Sequence, residues 1–140
     1  MTDETLTPER EGHIREAFKN IPYAHLLGLE IGELKRGEAI VHLEVRDELR
    51  RNNGVVHGGA IASLVDTAAA FAILTLLEPD QTTTTIDLTI HYLRPLLKGQ
   101  ATAMARVVRA GRRIIVISVD VLDEAKAVAA TALTSFIRLA

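Results

Sequence analysis

The residues best placed to do chemistry stand in one stretch, Asn52-Asn53-Gly54-Val55-Val56-His57-Gly58-Gly59, with an acid, Asp66, nine positions after the histidine. The two glycines open an apolar run from Ala60 to Leu77, in which Asp66 is the single charged residue. An acid in such a run is costly to bury unless it is paired or used. A Gly-Gly turn at a helix start leaves backbone N–H groups free to point at an oxygen. An oxyanion site and a carboxylate are the two parts needed to cleave an activated acyl group. Alone, Asp66 would read as a structural acid satisfied by the backbone or by Thr67. The glycine turn before it favours the chemical reading. His57 is open to two readings, as a ring that orients the oxyanion site or as one that only holds the loop.

Several other chemistries are excluded. There are no cysteines, hence no disulfide framework, thiolate nucleophile or cysteine metal cluster. The histidines (His13, His25, His42, His57, His91) are scattered without metal-ligand spacing, so no metal is expected. Neither a Gly-x-x-x-x-Gly-Lys phosphate loop nor a Gly-x-Ser-x-Gly elbow occurs. A net charge of −2, from 16 basic and 18 acidic residues, gives no footprint for nucleic acid. Arg94, beside Pro95, and Arg112 and Arg113, after Gly111, are candidates for binding phosphate through the guanidinium fork, against the alternative of solvated surface charge.

These residues need elements to hold them, and 140 residues with 48% hydrophobic content suit one domain with a single core. Thr7-Pro8-Glu9 reads as a helix start, with Thr as cap and Pro at the first helical position. Ile14, Ala17, Phe18 and Ile21 follow at helical spacing, Pro22 stops the helix, and Tyr23 to Leu27 add a further turn before Gly28. This segment, residues 1–27, is expected to pack on the outside of a domain spanning 28–140.

From Leu29 the period changes to two. Leu29 to Leu34 reads as a strand, and Ala39, Val41, Leu43 and Val45 form the buried face of a second, with a hairpin at Gly37. A polar loop leads to the glycine motif and the long helix, closed by Glu78-Pro79-Asp80. Four strand-like runs finish the chain: Thr82 to Leu93, with Ile86, Leu88, Ile90 and Tyr92 on one face; Gln100 to Arg109; Arg112 to Leu122; and Ala127 to Leu139. Short turns between them imply antiparallel pairing. The order is α+β, a curved antiparallel sheet laid against one buried helix. The apolar run, about 18 residues against the roughly 20 a membrane span needs, contains Ser63, Asp66 and Thr67, and is expected to be buried in protein rather than lipid. Met1 to Arg10 is polar and acidic, unlike a signal peptide, so a cytoplasmic location is expected.

The motif from Gly54 to Ala60, continued by Leu64-Val65-Asp66, Thr85-Ile86-Asp87-Leu88-Thr89-Ile90 and Tyr92-Leu93-Arg94-Pro95, resembles the hotdog-fold acyl-CoA thioesterases of the PaaI-like (phenylacetyl-CoA thioesterase) type. The resemblance runs from about Gly28 to the end. It implies a hotdog fold and an acyl-CoA substrate, with coenzyme A part of that substrate and no further cofactor. It also implies that the Gly58 N–H binds the thioester carbonyl, with Gly59 beside it. Asp66 would act as the general base or, alternatively, as a nucleophile, Thr85 would help hold the water, and His57 would orient the site. The family usually has an Asn six residues before the histidine. Arg51 stands there in this chain, and Asn52 is the nearest candidate for that role. Two other functions on this fold remain open at this point, hydration or dehydration of acyl thioesters and non-catalytic acyl-CoA binding. The absence of Pro before the helix-start glycine favours hydrolysis. Ala69, Ala70 and Ile73 are expected to line the acyl pocket.

Geometry adds a constraint of its own. Asp66 lies eight positions after Gly58, about 12 Å along a helix at 1.5 Å per residue. A base must come within about 3 Å of the water it activates. One helix can hardly offer both residues to one thioester. A second copy, antiparallel, could bring its Asp66 to the first copy's Gly58, so a homodimer, or a homotetramer built from two such dimers, is expected.

Overall fold

The computed structural model describes residues 5–139. Two short helices, α1 (Pro8–Lys19) and α2 (Pro22–Leu27), precede a hairpin of β1 (Leu29–Lys35) and β2 (Glu38–Glu44). The long helix α3 (Gly58–Leu74) follows, and then β3 (Thr82–Tyr92), β4 (Gln100–Ala110), β5 (Ile114–Leu122) and β6 (Val128–Leu139). The strands form one antiparallel sheet in the order β1-β2-β4-β5-β6-β3. All six strands contact α3, so the sheet curves around the helix in the α+β arrangement expected.

The reason lies in α3 itself. Ala60, Ile61, Leu64, Val65, Ala68, Ala69, Phe71, Ala72 and Ile73 are all buried. A helix that is apolar over most of its circumference cannot rest on a flat surface and must be enclosed. The inward residues of the strands meet it: Ala39, Val41 and Leu43 of β2, Ala101 and Ala103 of β4, and Ile115, Ile117, Val119 and Val121 of β5 are essentially inaccessible. Small alanines on both surfaces let helix and sheet approach closely. One stripe of α3 escapes enclosure. Gly59 is exposed, and Ala62, Ser63, Asp66, Thr67 and Ala70, at helical spacing along the same side, are half-buried.

Two bulges correct the simple alternation. Leu29 and Leu34 of β1 are five apart yet both buried, because the register shifts between Ile31 and Leu34. In β3 the shift falls between Thr85 and Asp87, leaving Ile86 unopposed and 52% exposed. Ile86 therefore does not share a face with Leu88 and Ile90. Thr85 does, since both half-buried leucine and isoleucine and the half-buried threonine turn inward.

The amino-terminal helices are capped as the residues suggest. Thr7 Oγ1 accepts from the Arg10 N–H at 3.1 Å, with Pro8 at the first position. Helix α1 ends at Lys19, ahead of Pro22 as expected, and the further turn before Gly28 is α2, with Pro22 at its first position, where the missing N–H costs nothing. Ile14 and Phe18 reach the core, and the Phe18 ring stands edge-on to Phe71 at 5.0 Å.

Helix α3 also ends earlier than the sequence suggests, at Leu74 rather than at Glu78-Pro79-Asp80. Its last carbonyls find partners from elsewhere. Thr75 Oγ1 donates to the Ala72 carbonyl at 2.7 Å while accepting from the Gly37 N–H at 2.6 Å. Arg10 Nη2 donates to the carbonyls of Leu74 at 2.9 Å and Leu77 at 2.6 Å. A cation over a helix carboxyl end also meets the negative pole of its dipole. Arg10→Ala should therefore lower stability by about 1.5–3 kcal/mol, the range for hydrogen bonds to a charged group. The check is a lower urea midpoint with an unchanged denaturant slope.

Candidate active site

The chain reaches the start of α3 through a loop pinned on both sides. The His57 N–H donates to the Leu49 carbonyl at 2.7 Å, and the Val56 N–H to the Leu96 carbonyl at 3.0 Å. Buried Leu49, Val56 and Leu96 anchor this crossing. His57 is the helix cap: its backbone is extended (φ −62°, ψ 135°) and its Nδ1 accepts from the Gly59 N–H at 2.8 Å. A ring nitrogen that accepts carries no proton, so the ring proton stands on Nε2. The cap occupies the Gly59 N–H. Among the described residues the Gly58 N–H has no partner, which leaves it as the free donor of the first turn.

Gly58 lines a cleft of about 470 Å³, together with Val55, Val56 and Ile61 on one side and Tyr92, Leu93, Arg94 and Leu96 on the other. Glycine here lets the Tyr92 ring approach the backbone closely. A Cβ at position 58 would lie 3.2 Å from the Tyr92 ring. The Tyr92 hydroxyl donates to the Gly58 carbonyl at 2.9 Å. Arg51 and Arg94, both exposed, also line the cleft and form no ion pair among the described residues. The cleft is thus lined by apolar side chains together with Gly58 and two arginines, a setting that suits a ligand joining an apolar part to an anionic one.

The acid stands apart. Asp66 is half-buried on the open stripe of α3, and its Oδ1 accepts from Thr85 Oγ1 at 2.7 Å. That bond orients the carboxylate, and Oδ2 has no partner among the described residues. Gly58 begins the helix, so Asp66 lies about 12 Å further along its axis. One chain therefore carries a donor half, with Gly58, Tyr92, Arg51 and Arg94, and an acid half, with Asp66 and Thr85. Edge strand β3 supplies a residue to each.

The remaining candidates are distributed as follows. Asn52 is exposed in the tight turn closed by the Arg51 N–H to the Val55 carbonyl at 2.8 Å, and it does not line the cleft. Arg51, at the position where an Asn was expected, does. Arg112 and Arg113 are exposed in the turn between β4 and β5. Neither arginine lines the cleft. Ala69 and Ile73, expected to line an acyl pocket, are fully buried in the core instead. Tyr92 and Arg51 were not singled out from the sequence. Tyr92 reads there as one more apolar strand residue, and only its place next to Leu93-Arg94-Pro95 hints at more.

Comparison with known proteins gives the chain's family. Residues 53–130 match the family described as the thioesterase superfamily. A putative esterase of Saccharolobus solfataricus is 34% identical over 112 residues, covering 79% of each chain. The acyl-coenzyme A thioesterase PaaI of Escherichia coli is 29% identical over 108 residues, 76% of this chain and 75% of that one. Among solved structures, the Escherichia coli PaaI protein superposes with a TM-score of 0.88 at 25% identity, over 96% of both chains. A conserved protein of Pseudomonas aeruginosa gives 0.81 at 34% identity, over 85% of this chain and 94% of that one. The sheet wrapped on a central helix is the hotdog fold. The chain belongs to the thioesterase superfamily, and its class of reaction is thioester hydrolysis. Among the described residues no helix is long and apolar enough to cross a membrane.

The cap makes a prediction about His57 that is separate from chemistry. His57→Ala should cost about 1 kcal/mol, whereas His57→Asn, whose side-chain oxygen can accept from the same amide, should stay within about 0.5 kcal/mol of the parent. Urea midpoints of the three proteins give the comparison.

Proposed function

We propose that this protein hydrolyses acyl-CoA thioesters at sites shared between two copies of the chain. The Gly58 N–H of one copy holds the thioester carbonyl oxygen, with Gly59 and its His57 cap fixing the turn. Asp66 of the partner subunit takes a proton from water, oriented by the hydroxyl of its own Thr85. Water oxygen bonds to the carbonyl carbon, the C–S bond breaks, and the thiolate leaves and is protonated, giving a free acid and coenzyme A. Developing negative charge on the carbonyl oxygen is met by the free amide at the positive end of α3. The reaction so drawn needs water alone as co-reactant, and its substrate belongs in the cytoplasm. Arg94 is assigned to the phosphates of coenzyme A, and Arg112 and Arg113 to the same role from a neighbouring copy.

The observation that carries this reading is the separation on α3 of an unpartnered amide at Gly58 and a carboxylate, Asp66, already oriented by Thr85. Neither half has a use for hydrolysis without the other, and about 12 Å is too far for one carbonyl and its water. The open stripe of small and polar residues around Asp66 allows a second helix to approach, and β3 has a free edge along which a partner strand can add. Relatives named as thioesterases, among them a medium/long-chain acyl-CoA thioesterase of Salmonella typhimurium at 27% identity, support the same class of substrate.

Thiol release from saturated short, medium, long and aromatic acyl-CoAs tests the activity, and no release from any of them would refute it. Asp66→Asn should lower kcat by about 10² to 10⁴, the usual worth of a general base. Sharing is tested by mixing. Asp66→Asn and Gly58→Val chains, each inactive alone, should regain about one quarter of the parental rate when refolded together in equal amounts, since one site in each mixed dimer is intact. No recovery despite mixed dimers would place both residues in one chain's site.

A further inference from the structure

Tyr92 stands outside the roles assigned so far, yet it touches the donor half directly. Its hydroxyl donates to the Gly58 carbonyl at 2.9 Å. That carbonyl belongs to the peptide group whose N–H, on Gly59, donates to His57 Nδ1 at 2.8 Å. One peptide group is therefore held at both ends, by a phenol on its oxygen and an imidazole on its nitrogen. The three groups form a single directed series: Tyr92 O–H to Gly58 C=O, then Gly59 N–H to His57 Nδ1, with the ring proton left on Nε2. Hydrogen bonds in series polarise one another, so each end strengthens the other.

The first turn of a helix is where such a clamp matters. Its early N–H groups have no helical partner, and glycine at both positions gives the backbone little rotational resistance of its own. The Gly58 N–H belongs to the His57–Gly58 peptide, whose carbonyl accepts from the Ala60 N–H at 3.0 Å and the Ile61 N–H at 3.4 Å. Gly58, with no side chain, joins that plane to the next, and holding the next plane at oxygen and nitrogen restrains the torsions between the two. The Tyr92 ring adds a wall, since its atoms lie 3.2–3.4 Å from where a Cβ on Gly58 would be. Tyr92 itself is half exposed, so core packing does not account for its position.

We propose that Tyr92 is a positioning residue: its hydroxyl, acting through the Gly58–Gly59 peptide and the His57 cap, aims the Gly58 N–H into the cleft. It touches no reacting atom. The effect on rate rests on the hydrolytic reading above, but the clamp is measurable without it.

The experiment uses the full chain with Tyr92→Phe, which keeps the ring and removes only the hydroxyl. The melting temperature is recorded first to show that the fold is retained. With the best acyl-CoA substrate, kcat should fall about threefold to tenfold, the worth of one neutral hydrogen bond, with KM within about twofold of the parent. Amide hydrogen exchange by NMR should show the Gly59 N–H exchanging faster by a similar factor. An unchanged kcat, a rise in KM alone, or a lower kcat with unaltered Gly59 exchange would each overturn the proposal. If the parent releases no thiol from any acyl-CoA, the hydrolytic reading fails and the exchange result decides the clamp. Faster Gly59 exchange in the variant upholds it, and equal exchange overturns it.

Discussion

The structure depends on one constraint, the enclosure of a helix that offers water almost nothing. Nine of the 17 residues of α3 are buried, and they lie on most of its sides. Burying a side chain such as Leu64 or Ile73 is worth roughly 1.5–3 kcal/mol, so the gain from wrapping the helix dominates local preferences elsewhere. The sheet must curve to deliver that burial. Its strands can then afford small residues at the closest approach, which is why Ala101, Ala103, Ala129 and Ala130 are fully enclosed. The site is a by-product of this arrangement. A helix held so firmly carries its amino terminus, with the unpartnered Gly58 N–H, at a set place beside the cleft.

The enclosure is incomplete along one stripe, and the edge strand β3 defines its border. The bulge at Ile86 is the small feature with the largest consequence there. A strand side chain changes face with every residue, so one extra residue turns everything beyond it over. With the bulge, Thr85 and Leu88 both face α3, and Thr85 reaches Asp66. Further along, the strand ends at Tyr92 against Gly58. One edge strand thus bonds to the Asp66 carboxylate and to the Gly58 carbonyl, while the helix keeps the two apart.

Much of this was legible along the chain. Thr7-Pro8, the alternation of Ala39, Val41 and Leu43, and the hairpin at Gly37 are local signals, and each element formed where they point. The start of α3 at Gly58 was legible too, because His57 and the glycines act within a few residues of one another. The errors share a cause. Helix α3 stops at Leu74 and Ile86 leaves its face, each because of partners remote in sequence: the guanidinium of Arg10 and the pairing with β6.

By itself the sequence determined how far apart Gly58 and Asp66 stand on the helix, since helical rise is a local property. It determined as well that the helix had to be largely wrapped, since Ser63, Asp66 and Thr67 are the only polar side chains among its 17 residues. Only the tertiary structure decided which side chains meet them. Thr85 on Asp66, Tyr92 on Gly58, and Arg51 rather than Asn52 at the cleft all follow from strand register and loop path. Those are settled by packing across the whole sheet, and a one-residue shift, invisible in composition and periodicity, would exchange every one of these partners for its neighbour.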